Sequence, residues 1–153
     1  MSCSNGWHVT GYYTPVEADF SGAPQQIQIQ NVGTDNFPGD FLSAVRMEGW
    51  GQTRHGWYLG YYSSRYHKSD NPLNRRGQPL RIGSLAVDED EIAIGSQVRI
   101  INLPAPWNNQ LFIADDVGGA IQDKHVDVYC GLGRTAQQET YRVTGGGRRL
   151  CQN

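Results

Sequence analysis

Two short apolar runs constrain this chain more than anything else in it. Phe112-Ile113-Ala114 leads into Asp115-Asp116 and then Gly118-Gly119. Shortly after, His125-Val126-Asp127-Val128-Tyr129 sets a carboxylate between two valines. β-Branched and aromatic residues in runs this short, bounded by turn residues, read as strands. An aspartate inside such a strand is costly to bury, because its charge loses hydration. It is kept there by hydrogen bonds or by chemistry. An aspartate at a strand end also serves simply by accepting backbone N–H bonds.

The rest of the chain repeats the short-strand theme. Trp7 to Tyr13 is β-prone and stops at Thr14-Pro15, and Gln25 to Val32 alternates Gln and Ile. Gly56 to Tyr62, Ser84 to Asp88, Gln97 to Ile101 and Gln110 to Ala114 read as further strands, and Glu139 to Thr144 as the last one. Phe41 to Met47 fits a strand or a short helical turn, and Ala120-Ile121 a helix start. Ser63 to Pro79 reads as a long surface loop, and Gly145-Gly146-Gly147 as a break. No internal repeat and no long amphipathic helix is evident. With 153 residues, 19 of them glycine, the expectation is one mainly β domain over residues 1–153, closed into a small barrel. An aromatic-rich insertion is expected at about 41–80.

Several function classes drop out. The net charge is -2 with no basic stripe, which argues against nucleic acid and anionic lipid. Gly118-Gly119 lacks the Lys and Ser/Thr of a phosphate loop. The four histidines show no metal-type spacing to one another, and no metal or organic cofactor is expected. All four read as solvated, with His125 the exception to watch because it lies beside Asp127. Of the three cysteines, Cys130 and Cys151 are expected to form a disulfide pinning the tail, the alternative being two buried thiols. Cys3 is then a free thiol or the lipid-bearing cysteine of a bacterial lipoprotein, the only membrane attachment the chain suggests.

Asp88, Asp116 and Asp127 each adjoin a short apolar run, and strand ends in a small barrel can gather such groups at one mouth. Carboxylates that crowd together raise at least one pKa, which a general acid needs near neutral pH. The aromatics add a second signal. Tyr12-Tyr13, Trp50, Trp57, Tyr58, Tyr61, Tyr62 and Tyr66 offer flat faces on which sugar rings stack, although many of them must also fill core.

These motifs resemble a known family. Leu85-Ala86-Val87-Asp88, Ile94-Gly95-Ser96 and Ala114 to Tyr129 are similar to the three-aspartate (3D) domain, the barrel of the membrane-bound lytic transglycosylase A family and of small cell-wall proteins. Val9 to Pro15 and Tyr129-Cys130-Gly131-Leu132-Gly133 resemble other parts of that barrel. The resemblance implies a six-stranded double-psi β-barrel with loop insertions. It implies a peptidoglycan lytic transglycosylase in the bacterial cell envelope, periplasmic or an outer-membrane lipoprotein, acting on glycan strands. Asp127 would be the acid/base, and Asp116 and Asp88 would hold and tune it. Tyr12, Tyr13, Trp50, Trp57, Tyr61, Gly118 and Gly119 would line the sugar groove, and Asp115 would be solvated. Gln122-Asp123 departs from the Lys-Gly usual in the family. About 70 residues separate Pro15 from Leu85, fewer than the family's second domain occupies there. The groove wall would therefore be shorter, supplied by Trp50–Tyr66. A non-catalytic glycan-binding barrel and a hydrolytic glycosidase are the alternatives.

Overall fold

The computed structural model describes residues 1–153. In chain order the strands and helices are β1 (Ser2–Thr14), β2 (Pro24–Ile29), β3 (Gly33–Pro38), α1 (Gly39–Glu48), β4 (Trp50–Gln52), β5 (Tyr58–Tyr62), β6 (Arg65–Ser69), β7 (Ser84–Ala86), β8 (Gln97–Ile100), β9 (Phe112–Asp116), β10 (His125–Leu132), α2 (Gly133–Val143) and β11 (Gly145–Gln152). Six strands close a barrel in the order β1-β10-β7-β9-β8-β11, with β11 returning to pair with β1. The pairs β1/β10 and β7/β9 run parallel and the others antiparallel. The expected mainly β, six-stranded closed barrel is therefore present.

Alternation along the strands builds the barrel core. In β10, Val126, Val128 and Cys130 point inward, where they meet Trp7, Val9, Leu85, Phe112 and Ala114. Successive side chains of a strand point to opposite faces, so His125, Asp127 and Tyr129 face outward. Their partners across β1 are His8, Thr10 and Tyr12. One face of the barrel wall thus carries the polar and aromatic residues, while the valines beside Asp127 fill the interior.

The segment between β1 and β7 forms a second sheet of order β3-β2-β6-β5-β4. It has its own core of Ile29, Phe37, Phe41, Leu42, Val45 and Leu59. Phe41 to Met47 resolves as helix because Phe41, Leu42 and Val45 share one helical face toward that core. α1 stops at Glu48 because Gly49 takes a φ of 101° and returns its N–H to the Val45 carbonyl at 2.7 Å. Trp50 then packs over Gly60, where a Cβ would lie 2.4 Å from the indole. The expected long loop from Ser63 to Pro79 contains β6.

The C-terminal region departs from expectation. Glu139 to Thr144 is no strand: α2 covers Gly133–Val143 and buries Ala136, Thr140 and Val143 at helical spacing. The triple glycine opens β11 rather than ending the pattern, and Ala120-Ile121 starts no helix. The disulfide joins Cys3 to Cys151, not Cys130 to Cys151, with an S–S distance of 2.05 Å. The cause is register. β11 is the strand that closes against β1, so Cys151 stands directly opposite Cys3, whereas Cys130 points into the barrel core and remains a buried thiol. With its sulfur committed to that bond, Cys3 has no thiol free to carry a lipid. No helix is long and apolar enough to cross a membrane.

Candidate active site

Where the outer face of the barrel meets the second sheet there is a groove of about 620 Å³. Tyr12, Trp50, Leu80 and Ala86 form its floor, part of a buried apolar cluster that Ile121 and Tyr129 complete beneath. Asp127 and Asp116 both open into it from the barrel, and Glu48 from the end of α1. Strand register explains the first two. Thr10 pairs with Asp127, Asp127 with Ala86, and Ala86 with Asp116, so a single row crosses four strands. The two aspartates stand two strand spacings apart, about 10 Å between backbones, with only the Ala86 methyl between them.

The row is hydrogen-bonded outward from its centre. Thr10 Oγ1 donates to Asp127 Oδ1 at 2.9 Å and lies 2.8 Å from His125 Nε2. A hydroxyl has one proton, so while Thr10 donates to Asp127 the contact to His125 requires the Nε2–H tautomer. The Tyr12 hydroxyl donates to Asp116 Oδ2 at 2.9 Å. Burial raises Asp127 from 3.8 to about 7; the Thr10 bond opposes this and the Asp116 charge adds to it. Burial likewise raises Asp116 to about 6 against the Tyr12 bond. Glu48 is pushed to about 8, by burial first and then by the charge on Asp127, while the Tyr13 N–H opposes the shift. Burial and the neighbouring Asp116 hold the Tyr12 phenol well above its ordinary value. The chemical consequence is a half-buried carboxyl at Asp127 that still holds its proton near neutrality, beside an open groove.

The remaining expected site residues divide. Tyr12, Trp50, Tyr61, Gly118 and Gly119 line the groove. Tyr13 does not: its ring packs in the barrel core. Trp57 stacks on His55 at 5.4 Å against the second-sheet core. Asp88 is not brought to Asp127. It accepts the N–H groups of Asp123 at 2.8 Å and Asp90 at 3.0 Å, which lower its pKa, and so ties two surface loops together. Asp115 is not solvated. It is 4% exposed and accepts bonds from Ser84 Oγ at 2.8 Å and Asn74 Nδ2 at 3.2 Å. His125 is held through Thr10 rather than by direct contact with Asp127, and it is not the only histidine that is more than solvated: His55 bonds Asp35 and His67 stacks on Tyr62.

Sequence reasoning missed Thr10 and Glu48. Thr10 was detectable in principle, two residues before Tyr12 on the same strand face. Glu48 reaches the groove only because α1 ends there, which no local pattern announces. No cluster of three or more His, Cys, Asp or Glu is arranged to hold a metal ion.

Comparison with known proteins bears on this geometry. The sequence profile of the 3D domain matches residues 83–145. No curated protein sequence matches the chain. Among solved structures, Escherichia coli MltA with bound chitohexaose aligns over 97% of this chain and 72% of its own, at 17% identity and a TM-score of 0.69. MltA from Neisseria gonorrhoeae aligns over 98% and 71%, at 14% identity and a TM-score of 0.63. The lytic transglycosylase LtgG of Burkholderia pseudomallei covers the same shares, at 17% identity and a TM-score of 0.59. At these identities the likeness speaks for the fold. Residues 83–145 thus match the 3D domain, on a chain whose fold as a whole is similar to that of the MltA-type structures.

Proposed function

We propose that this protein is a peptidoglycan lytic transglycosylase, the barrel and second sheet acting together as one catalytic unit. The observation that carries the reading is Asp127, a carboxyl pushed up to about 7 in a groove whose floor is aromatic. The substrate is the glycan strand, cleaved at the β-1,4 bond between N-acetylmuramic acid and N-acetylglucosamine.

Protonated Asp127 donates to the glycosidic oxygen as the C1–O bond breaks. The carboxylate left behind takes the proton from the muramoyl C6 hydroxyl as that oxygen closes on C1. The product carries a 1,6-anhydro end, Asp127 is protonated again, and no water is consumed. A single acid/base suffices because the substrate supplies its own nucleophile. Burial is the main cause that keeps Asp127 protonated, and the charge of Asp116, held by Tyr12, adds to it. Thr10 acts in the opposite direction and steadies the carboxylate in the half-reaction that needs it. Trp50 and Tyr61 offer stacking surfaces to sugar rings, and Gly118-Gly119 leaves room for the strand to pass. The disulfide supports an oxidising setting such as the bacterial cell envelope.

Glu48 gives one specific ground for a second reading, since hydrolytic glycosidases work with a carboxyl pair across the scissile bond. Digestion of purified sacculi, followed by muropeptide analysis, separates the two. Anhydro ends, absent with Asp127→Asn, are the expected result. Reducing ends would make the protein a hydrolase, and binding without cleavage would make it a glycan-binding module.

A further inference from the structure

Glu48 is the one groove carboxyl that the proposed mechanism leaves unused. It closes α1, on the wall supplied by the second sheet, while Asp127 and Asp116 belong to the barrel wall. Gly49 fixes it there by ending the helix. No cation pairs with it: the six ion pairs of the molecule all involve other acids. An unpaired, half-buried carboxyl beside two others is expected to keep its proton. Its O–H then has a donor to offer, and it faces the groove.

We propose that Glu48 contacts the glycan directly, donating a hydrogen bond from its neutral carboxyl to an acceptor oxygen of an N-acetylated sugar. This rests on the reading of the groove as a glycan site. N-Acetylated glycans carry amide carbonyls and ring hydroxyls, which accept from a neutral acid and are repelled by a carboxylate. The groups around Glu48 are Asp127 on β10, Asp116 on β9, Tyr12 on β1, Tyr61 and Tyr62 on β5, Arg75 in the loop before β7 and Arg46 on α1 itself, all lining the groove, together with the buried Tyr13 phenol and Cys130 thiol, on which its charge bears. Arg46 is turned away to Tyr66 and Ser43, and Arg75 lies toward Glu89. Among the acids it is Asp127 whose charge adds to burial in holding Glu48 neutral.

The test uses chitohexaose as probe and Asp127→Asn protein, which does not turn the ligand over and removes the Asp127 titration, leaving that of Asp116, at about 6, common to every variant compared. Binding is followed by tryptophan fluorescence and calorimetry from pH 4.5 to 9.5. Affinity should fall about tenfold, the worth of one hydrogen bond, as Glu48 ionises. That transition should lie below 8, because the Asp127 charge is gone, yet above the ordinary glutamate value, because burial is the larger cause. Adding Glu48→Gln keeps a donor without a charge and should remove that transition at full affinity, leaving only the part that Asp116 contributes at about 6. Adding Glu48→Ala should cost about tenfold at low pH. Equal affinity of the Ala and Gln variants, or a pH dependence in Gln identical to that of its Glu48 parent, overturns the assignment of Glu48. Failure of the Asp127→Asn protein to bind at any pH removes the glycan-site reading beneath it instead.

Discussion

Asp127→Asn tests the physical argument at the centre of the site without any substrate. The native carboxyl, raised from 3.8 to about 7, holds a proton that the unfolded chain has already lost between those two values. The folded state binds more protons there, so the free energy of unfolding falls as pH rises through that window. Linkage gives a cost relative to a permanently neutral group of about 2 kcal/mol at pH 5 and about 4 kcal/mol at pH 8. Asparagine has nearly the same shape, stays neutral, and its Oδ1 can still accept the Thr10 hydroxyl. Asp116 and Glu48 are present in both proteins and cancel to first order. The stability gap in favour of the variant should therefore widen by about 2–3 kcal/mol between pH 5 and pH 8. Urea unfolding followed by tryptophan fluorescence, under non-reducing conditions, measures this directly. Sacculus lysis should meanwhile fall by about 100- to 10,000-fold, the usual share of a general acid. A gap that is the same at both pH values would mean that Asp127 ionises like an exposed aspartate, and the argument from burial would be wrong.

Four further outcomes follow from the same contacts. Thr10→Val removes the donor that favours the Asp127 carboxylate, so the alkaline fall in lytic activity, expected near pH 7, should move to higher pH in a rate–pH profile. Cys3→Ser should lower stability by about 2–5 kcal/mol in denaturant titration, matched by reduction of the wild type, while buried Cys130, pushed up to about 12, stays unreactive to thiol reagents in the folded protein. Gly60→Ala drives a methyl into the Trp50 ring and should weaken chitohexaose binding and cost about 1–3 kcal/mol of stability, read by calorimetry and thermal melts. Asp88→Asn should leave the pH profile of lysis unchanged, since Asp88 holds loops outside the groove; a shifted profile would return it to the site.

The barrel was legible where alternation is strict. Val126-Asp127-Val128 places its aspartate on one face and its valines on the other whatever else the chain does. The cysteine pairing was not, because it depends on which strand closes the barrel, a fact of topology that spacing does not encode. α2 was hidden for a related reason. Its buried positions Ala136, Thr140 and Val143 sit among polar residues and glycines, and a short window at its end reads as a strand. The second sheet is built within a segment shorter than the second domain of the family it resembles, yet it holds a six-residue core. Glu48 depends on the placement of that sheet against the barrel, and so lies beyond any local pattern.

Asp115 and Asp116 show how far a single residue of register decides the chemistry. Phe112 and Ala114 point into the barrel, so unbroken alternation would send Asp116 inward as well and leave Asp115 facing the groove. The pairing with β7 breaks there: Leu85 stands opposite Ala114, but Ala86 stands opposite Asp116. The extra residue is a bulge, uncommon between parallel strands. It turns Asp116 outward, into the row that ends on Asp127. It also leaves Asp115 under the loop of Asn74, where Ser84 and Asn74 supply donors and the Arg75 N–H bonds its carbonyl. The two acids thus take separate work. Asp115 anchors the loop that bounds one side of the groove, and Asp116 charges its floor. A regular strand would have placed Asp116 among Phe112, Ala114 and Val98, where a carboxylate has no partner and no access to Asp127. The bulge is therefore what allows an acidic pair at the end of an apolar strand to serve the site without unsettling the core.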